Sequence, residues 1–427
     1  MKKLKKKDIL ITSAAHSGEN IGKKCSIISE LPPTYESIFF TGELLNIRCL
    51  YNESMAKWLF YFFSSKYGVK EIQKAVSGVH LTSGRAKLME VVIPPDKERA
   101  RIVAKLEKLL TRVDQCQARL EKIPGILENF RTTIISAACT GKLTKDWRQK
   151  NKDAKSASSG PHHPTPNKKS QKKPSYFQRN WFEELPASWS WAYLSEISDC
   201  RLGKMLDKSK NKGEKTRYLR NINVRWFTVD LTDLLEIRAS AEDKRKLSLK
   251  KGDVLVCEGG EPGRAAVWNR EDSDIIYQKA LHRVRSDGSF LPSWLVYNLK
   301  NDSKNWRLSS LFTGTTIKHL TGQSLAKYPL AIPPIEEQKE IIRRIEKLFQ
   351  LADHIEHRYH KAKTHIDHLT QSILAKAFRG ELVPQNPNDE PAAELLRQIK
   401  NEKDRQSPEN KSGRNSKNQN QKKKARA

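Results

Sequence analysis

Read for apolar spacing, the chain holds two long stretches of helical period, each preceded by a region of shorter, punctuated runs. In the first, Ile102, Leu106, Leu109, Val113, Cys116, Leu120, Ile123, Leu127, Phe130 and Ile134 step by fours and threes. In the second, Ile341, Ile345, Leu348, Ala352, Ile355, Tyr359, Ala362, Ile366, Leu369 and Ile373 do the same. A stripe of this kind over more than about four heptads is a coiled-coil seam, and one helix cannot bury it alone. Two partners are open: the other stretch in the same chain, giving an intramolecular antiparallel pair of roughly 33 residues and about 50 Å, or a helix of another chain. Ile102, Leu106, Leu109, Val113, Ile341, Ile345, Leu348 and Ile355 are the seam positions assigned to this pairing and to partner binding.

Both helices are punctuated alike. Each follows an Ile-Pro-Pro, which disfavours helix upstream, and stops at a glycine suited to the position after a helix end, Gly141 or Gly380. Pro124 interrupts only the first and predicts a kink there. The regions in front carry short strand-like runs, Asp253 to Cys257, Ala265 to Trp268 and Leu281 to Val284, broken by Gly and Pro. The expected fold class is α+β.

Laid against itself without a gap, 93–143 matches 332–382 at 15 of 51 positions. Upstream, His80-Leu81-Thr82 recurs as His319-Leu320-Thr321, Trp58-Leu59 as Trp294-Leu295, and LKKKDILIT (4–12) echoes LKKGDVLVC (249–257). Fixed-offset similarity exposes architecture before propensity does. It predicts a first mixed domain at 1–92, a spacer helix at 93–142, a disordered basic linker at 149–175, a second mixed domain at 181–331, a second spacer helix at 332–380, a short helical region at 381–400 and a disordered basic tail at 401–427. The first domain has no counterpart of LPASWSW (185–191) or YLRNINV (218–224), so it is expected to be N-terminally incomplete. A start placed too far downstream, a truncated gene, or a half-domain completed by another chain each accounts for this.

Charge narrows the partner. Lys and Arg number 79 against 49 Asp and Glu, a formal +30 over 427 residues, which points to a polyanion, nucleic acid ahead of a membrane surface. No window holds the eighteen or so apolar residues of a membrane span, and a cytoplasmic protein with no membrane partner is expected. Cys25, Cys49, Cys116, Cys139, Cys200 and Cys257 lack metal or disulfide spacing. There is no phosphate-binding GxxxxGK[ST], no dinucleotide fingerprint and no Asn-Pro-Pro-aromatic or Asp-Pro-Pro-aromatic motif, so no catalytic residue is assigned. His354, His357, His360, His365 and His368 could hold a metal by i, i+3 spacing, but they fall off the seam and are absent from the first copy, so no metal site is assigned.

The order LPASWSWAYLSEI (185–197), YLRNINV, KKGDVLVCEGGEPGRAAVW (250–268), Gln278, GTTIKHLTGQSL (314–325), IPPIEEQKEIIRRIEKLF (332–349) and AFRGELVP (377–384) resembles the specificity subunit of type I restriction-modification systems over nearly the whole chain. The resemblance implies two target-recognition domains that each read half of a split double-stranded DNA sequence, held apart by the helices. It also implies two methyltransferase (M) subunits docked on those helices and restriction/translocase (R) subunits added to them. S-adenosylmethionine, ATP and Mg are then expected on the partners and no cofactor on this noncatalytic chain.

DNA contact should come from basic and amide side chains on domain loops, phosphate contacts setting affinity and base-edge contacts setting sequence. The candidates are Arg201, Lys204, Lys208, Arg217, Arg220, Asn221 and Asn223, with a second group of Lys279, His282, Thr315, Thr316, Lys318 and His319. A solvated loop charge or a turn-forming hydroxyl is the competing reading of each, and the repeated His-Leu-Thr favours a structural role for His319, since residues that read different half-sites should differ. A different class of protein stays open: a noncatalytic coiled-coil adaptor that touches nucleic acid only through its basic linker and tail.

Overall fold

The computed structural model describes residues 3–151, 185–207, 211–271 and 274–406. It forms two compact units that cut across the linear order: Met1–Ile123 with Arg358–Ala427, and Pro124–His357. Each long helical stretch is therefore divided between units, where the sequence placed whole helices between whole domains.

In the first unit, β1 (Ile9–Thr12), β2 (Cys25–Ile27) and β3 (Leu44–Ile47) form an antiparallel sheet in the order β2-β1-β3. Ile9 and Ile11 point from β1 into a core with Ile21, Phe62, Phe63, Ile72 and Leu81. Helices α1 (Glu53–Ser64), α2 (Lys66–Ala75) and the single turn α3 (Ser83–Ala86) follow. α1 begins at Asn52, whose side chain accepts from the Met55 amide, satisfying one of the free N–H groups of a helix start. α4 (Asp96–Leu120) is the first long helix.

In the second unit, α5 (Ile123–Cys139) and α6 (Lys145–Lys150) come first. The expected kink at Pro124 is a full break: α4 stops at Leu120 and α5 starts at Ile123, with Pro124 in its first turn. There the missing proline N–H is not needed and the fixed φ suits a helix start. α6 also takes in the beginning of the expected linker, whose remainder, 152–175, lies outside the described residues. Next come β4 (Ser190–Tyr193), α7 (Leu194–Ile197), β5 (Ser198–Leu202), β6 (Glu214–Leu219), β7 (Val224–Arg225), β8 (Thr228–Val229), β9 (Leu235–Ala239) and α8 (Ala241–Lys246). Then follow β10 (Val254–Cys257), β11 (Ala265–Val267), β12 (Ile276–Tyr277), β13 (Leu281–Ser286), α9 (Pro292–Ser303), α10 (Trp306–Ser309), α11 (Gly322–Ala326) and β14 (Pro329–Ile332). The main sheet is β11-β10-β13-β5, beside β12-β6-β9 and the pairs β14-β4 and β7-β8. β10 is buried at every position, as a strand covered on both faces requires.

α12 runs unbroken from Ile335 to Phe378, and α13 from Ala392 to Gln406. α13 overruns the expected start of the tail at 401, and 407–427 lie outside the described residues. Seam burial is strongest where the long helices meet a globular core. In the first unit Ile102, Leu106 and Val113 of α4 share a cluster with Ile373, Leu374 and Ala377 of α12, with Leu109 at its edge. In the second, Ile134 and Ile135 of α5 share one with Ile341 and Ile345 of α12, with Leu348 partly buried beside them. Ile355 is 38% exposed and Cys116 is exposed, so the apolar stripe is not buried along its full length. The five α12 histidines are exposed throughout.

Candidate nucleic-acid interface

The two units share a scaffold that explains their shared sequence. Asp253, just before β10, is fully buried; it accepts from the Lys250 amide at 2.7 Å and pairs with Arg285 at 2.7 Å. Asp8, just before β1, is buried alike, accepts from the Lys5 amide at 2.9 Å and pairs with Arg48 at 2.6 Å. Burial pushes the Asp8 carboxyl up, but the Arg48, Lys5 and Asn46 donors outweigh it and hold the group below its ordinary range. A buried carboxylate needs such donors, which is why the Lys-x-x-Asp spacing recurs.

On this scaffold the second unit gathers five turns. The Lys279 amide donates to the Lys204 carbonyl at 2.9 Å, Glu258 N–H to Ala280 O at 2.9 Å, and Leu320 N–H to Glu258 O at 2.8 Å. Arg264 Nη2 donates to Asn221 O at 2.9 Å, and Asn221 Nδ2 lies 3.5 Å from Gly259 O. Gly259 lies so close under the His319 ring that a Cβ there would sit 3.2 Å from Nδ1. The turns around 204, 221, 259, 279 and 316 thus form one continuous surface.

The proposed contact residues separate by environment. Thr315, Thr316, Lys318 and His319 are exposed on a loop closed by Thr313 N–H to His319 O at 2.8 Å and the reverse bond at 2.9 Å. Gly314 turns this loop at φ +91°, where a side chain would strike Ile317 O. Lys279 is exposed, and Arg217 points outward from β6 between buried Thr216 and Tyr218. Arg201, on β5, is half-buried, with Nη1 3.4 Å from Lys246 O. Lys208 lies outside the described residues.

Four expectations change. His282 is buried in β13, with Nε2 3.0 Å from Leu320 O; burial pulls its pKa down, the carbonyl contact opposing, and no edge is left for a base. Asn223 is 2% exposed: its Oδ1 accepts from Arg220 N–H at 2.9 Å, and its Nδ2 donates to Asp230 O at 3.1 Å and Asp233 O at 2.9 Å. Lys204 is paired with Asp243 at 2.8 Å, and that lysine first among several donors brings the Asp243 carboxyl down to about 2. Arg220 is likewise paired with Asp233 at 2.6 Å. These residues shape the loops, while Lys279, Thr315, Thr316 and Lys318 remain on their surface and Arg217 is exposed on β6.

Sequence reasoning missed the apolar side chains among them. Ile317 is 66% exposed, Met205 61%, and Leu206 and Ile222 43% each, all on or beside these turns. The signal was present: Thr-Ile-Lys, Asn-Ile-Asn and Lys-Met-Leu-Asp set apolar residues in polar loops with no period to bury them.

The first unit repeats the anchor with a different loop. Leu81 N–H donates to Ser13 O at 2.7 Å, as Leu320 does to Glu258, and Thr82 caps α3 as Thr321 caps α11. Ser77 and His80 close the loop as Thr313 and His319 do, but with two intervening residues in place of five.

Residues 186–363 match the family described as type I restriction modification DNA specificity domain. The chain is 32% identical over 342 residues to the EcoBI specificity subunit of Escherichia coli, covering 77% of this chain and 68% of the relative. It is 30% identical over 362 residues to the EcoDI specificity subunit of Escherichia coli, covering 82% and 77%. The chain belongs to the type I restriction specificity subunits. To the EcoKI specificity subunit of Escherichia coli strain K12 it is 29% identical over 420 residues, 94% of this chain and 82% of that one. Among solved structures, a chain from work on complex assembly and conformational transition of the type I R-M system superposes with TM-score 0.59 at 18% identity, covering 89% of this chain and 83% of that one. The HsdS subunit of Thermoanaerobacter tengcongensis gives 0.54 at 18%, covering 89% and 82%. Both likenesses are of fold. As a specificity subunit the chain selects DNA sequence, and the loop surface around Gly259 is where its described residues offer cations, amides and apolar tips together.

No described helix is long and apolar enough to cross a membrane. Cys257 is buried and Cys25 half-buried, and desolvation pushes both thiols up to about 11 and leaves them protonated packing groups.

Proposed function

We propose that this specificity subunit reads a bipartite double-stranded DNA target, one part through each unit, and directs partner subunits to it. The observation that carries this is the pair of loops on one anchor, 313–319 and 77–80, whose ends match while their tips differ. A scaffold kept constant with a variable tip is what two readers of different half-sites require. In the second unit Arg217, Lys279 and Lys318 contact phosphates, Thr315, Thr316 and Asn221 meet base edges, and Ile317 supplies an apolar contact of the kind that recognises a thymine methyl or wedges between base steps.

The long helices act as a spacer, an antiparallel coiled coil in which the start of α4 meets the end of α12 and the end of α5 meets its start. Support comes from the two seam clusters and from Arg131, which reaches Asp353 and Glu356 at 2.7 Å each. The helices also dock two M subunits, which carry S-adenosylmethionine, and the R subunits that join them carry ATP and Mg; this chain is noncatalytic, holds no cofactor and works in the cytoplasm. Purified with its modification subunits, it confines their methylation to one split sequence. Methylation that tolerates base changes in both halves of that sequence contradicts the reading.

A further inference from the structure

The hairpin β7–β8 turns on two aromatic residues. Val224 pairs with Val229 and Arg225 with Thr228, which leaves Trp226 and Phe227 as the turn. Phe227 sits at φ +69°, in the left-handed region. Glycine or asparagine is the ordinary residue at such a position, because a Cβ is strained there, and a bulky side chain is an outlier. Backbone outliers of this kind cluster at sites that hold them in place. The Phe227 N–H donates to Ala265 O at 3.1 Å, and its ring is set against Tyr297 and Phe349, with centroids 5.5 and 6.3 Å away.

That ring does not fill the space between the hairpin and the helices. A cavity of about 200 Å³ remains within the second unit, floored by Phe227, Phe349 and Ile135 and rimmed by side chains of α5 and of the end of α9. An apolar cavity of about 150 Å³ is enough to take up benzene. The space therefore suits one aromatic ring with a small substituent.

The rim defines the substituent. Its charged members are Glu128, Arg131, Lys300 and Lys304. Lys304 is paired with Glu128 at 2.9 Å, and Arg131 reaches Asp353 and Glu356 at 2.7 Å each. Lys300 has no carboxylate partner among the described residues; its ammonium lies 4.6 Å from the centre of the Trp226 ring. The two acids near enough to act on its charge are engaged elsewhere. Glu128 is held by Lys304, and Glu261 accepts from Trp226 Nε1 at 2.6 Å and pairs with Arg264 at 3.0 Å. Burial first, and then the charge of Lys304, pull the Lys300 pKa below that of a free lysine. A partly desolvated ammonium beside an apolar floor is the setting in which an arriving anion gains most.

We propose that this cavity binds a small aromatic carboxylate, its ring against Phe227 and Phe349 and its carboxylate on the Lys300 ammonium. The aromatic floor offers ring faces and edges to a flat ligand, and the cation selects the acid over its neutral counterpart. The site shares no residue with the loop surface around Gly259, so its occupancy and the reading of DNA are separately testable.

The test is saturation-transfer NMR on the full chain with benzoate, indole-3-carboxylate and benzamide as probes, beside melting curves in their presence. Either carboxylate should bind saturably with a Kd below about 1 mM and raise the melting temperature, and benzamide should bind about tenfold or more weakly. Lys300→Met, which keeps the apolar stem and removes the charge, should weaken carboxylate binding about tenfold and leave the melting temperature of the ligand-free chain unchanged. Thr132→Phe, which puts a ring into the cavity from α5, should abolish binding of both carboxylates, and it keeps the test decisive if Lys300→Met disturbs folding. No saturable binding of either carboxylate up to about 10 mM, benzamide binding as tightly as benzoate, or affinity unchanged in both variants overturns the proposal.

Discussion

Asn223 and Lys318 show how two residues of similar promise in the sequence take opposite roles. Asn223 spends its whole amide on three backbone groups, so Asn223→Ala should destabilise the second unit by about 1–3 kcal/mol, seen as a lower melting temperature. Lys318 is exposed on the 313–319 loop, so Lys318→Ala should leave melting unchanged, weaken DNA binding, and reduce the slope of log affinity against log salt by about 0.9. Asp243→Asn should free the Lys204 ammonium and raise that slope. His282 adds a pH dependence whose sign is fixed by its burial. With the folded pKa below the unfolded value of about 6.5, the unfolded chain binds the extra proton. The histidine's contribution is therefore present above that value and lost as pH falls through it toward the depressed folded pKa. Melts between pH 8 and pH 5 should show this loss in the parent and less of it in His282→Gln. Residue type and loop position were legible in the sequence. Pairing was not, because Asp243 lies 39 positions from Lys204 and Asp233 lies 13 from Arg220, and only the folded backbone brings them together.

Among the elements, the fours and threes predicted both long helices, since the period of an apolar stripe is set by helix geometry alone. Burial along the stripe is a matter of neighbours. Ile345 is fully buried against the second unit's core, whereas Ile355, ten residues on in the same seam, is 38% exposed. Ile345→Ala should cost about 2–4 kcal/mol and Ile355→Ala well under about 1 kcal/mol, measured by denaturant unfolding. Pro124 was read as a kink and begins a helix instead, because a proline in a first turn gives up no hydrogen bond. The repeated Ile-Pro-Pro announced two equivalent helix starts. The hydrogen bonds that Trp189 and Thr144 donate to Glu337 at the second of them come from elements far apart in the sequence.

At the scale of the molecule, internal repetition carried most of what the sequence could tell. A duplicated scaffold with its buried Asp–Arg pair and His-Leu-Thr anchor fixes backbone, while the loop tips that the anchor holds differ between the units. The division into units was less legible, because each is closed by a segment from the other end of the chain or by part of a long helix. The central claim is that these tips read sequence, one half-site per unit. The direct measurement is single-molecule sequencing of methylated bases in DNA modified by the assembled complex, before and after Gly314–Lys318 is replaced by the two-residue tip Gly78–Val79 of the first unit. The account predicts that one half of the methylated sequence changes or is lost while the other half and its protein-borne determinants stay the same. An unchanged split sequence, or the loss of both halves with the fold intact, would contradict it.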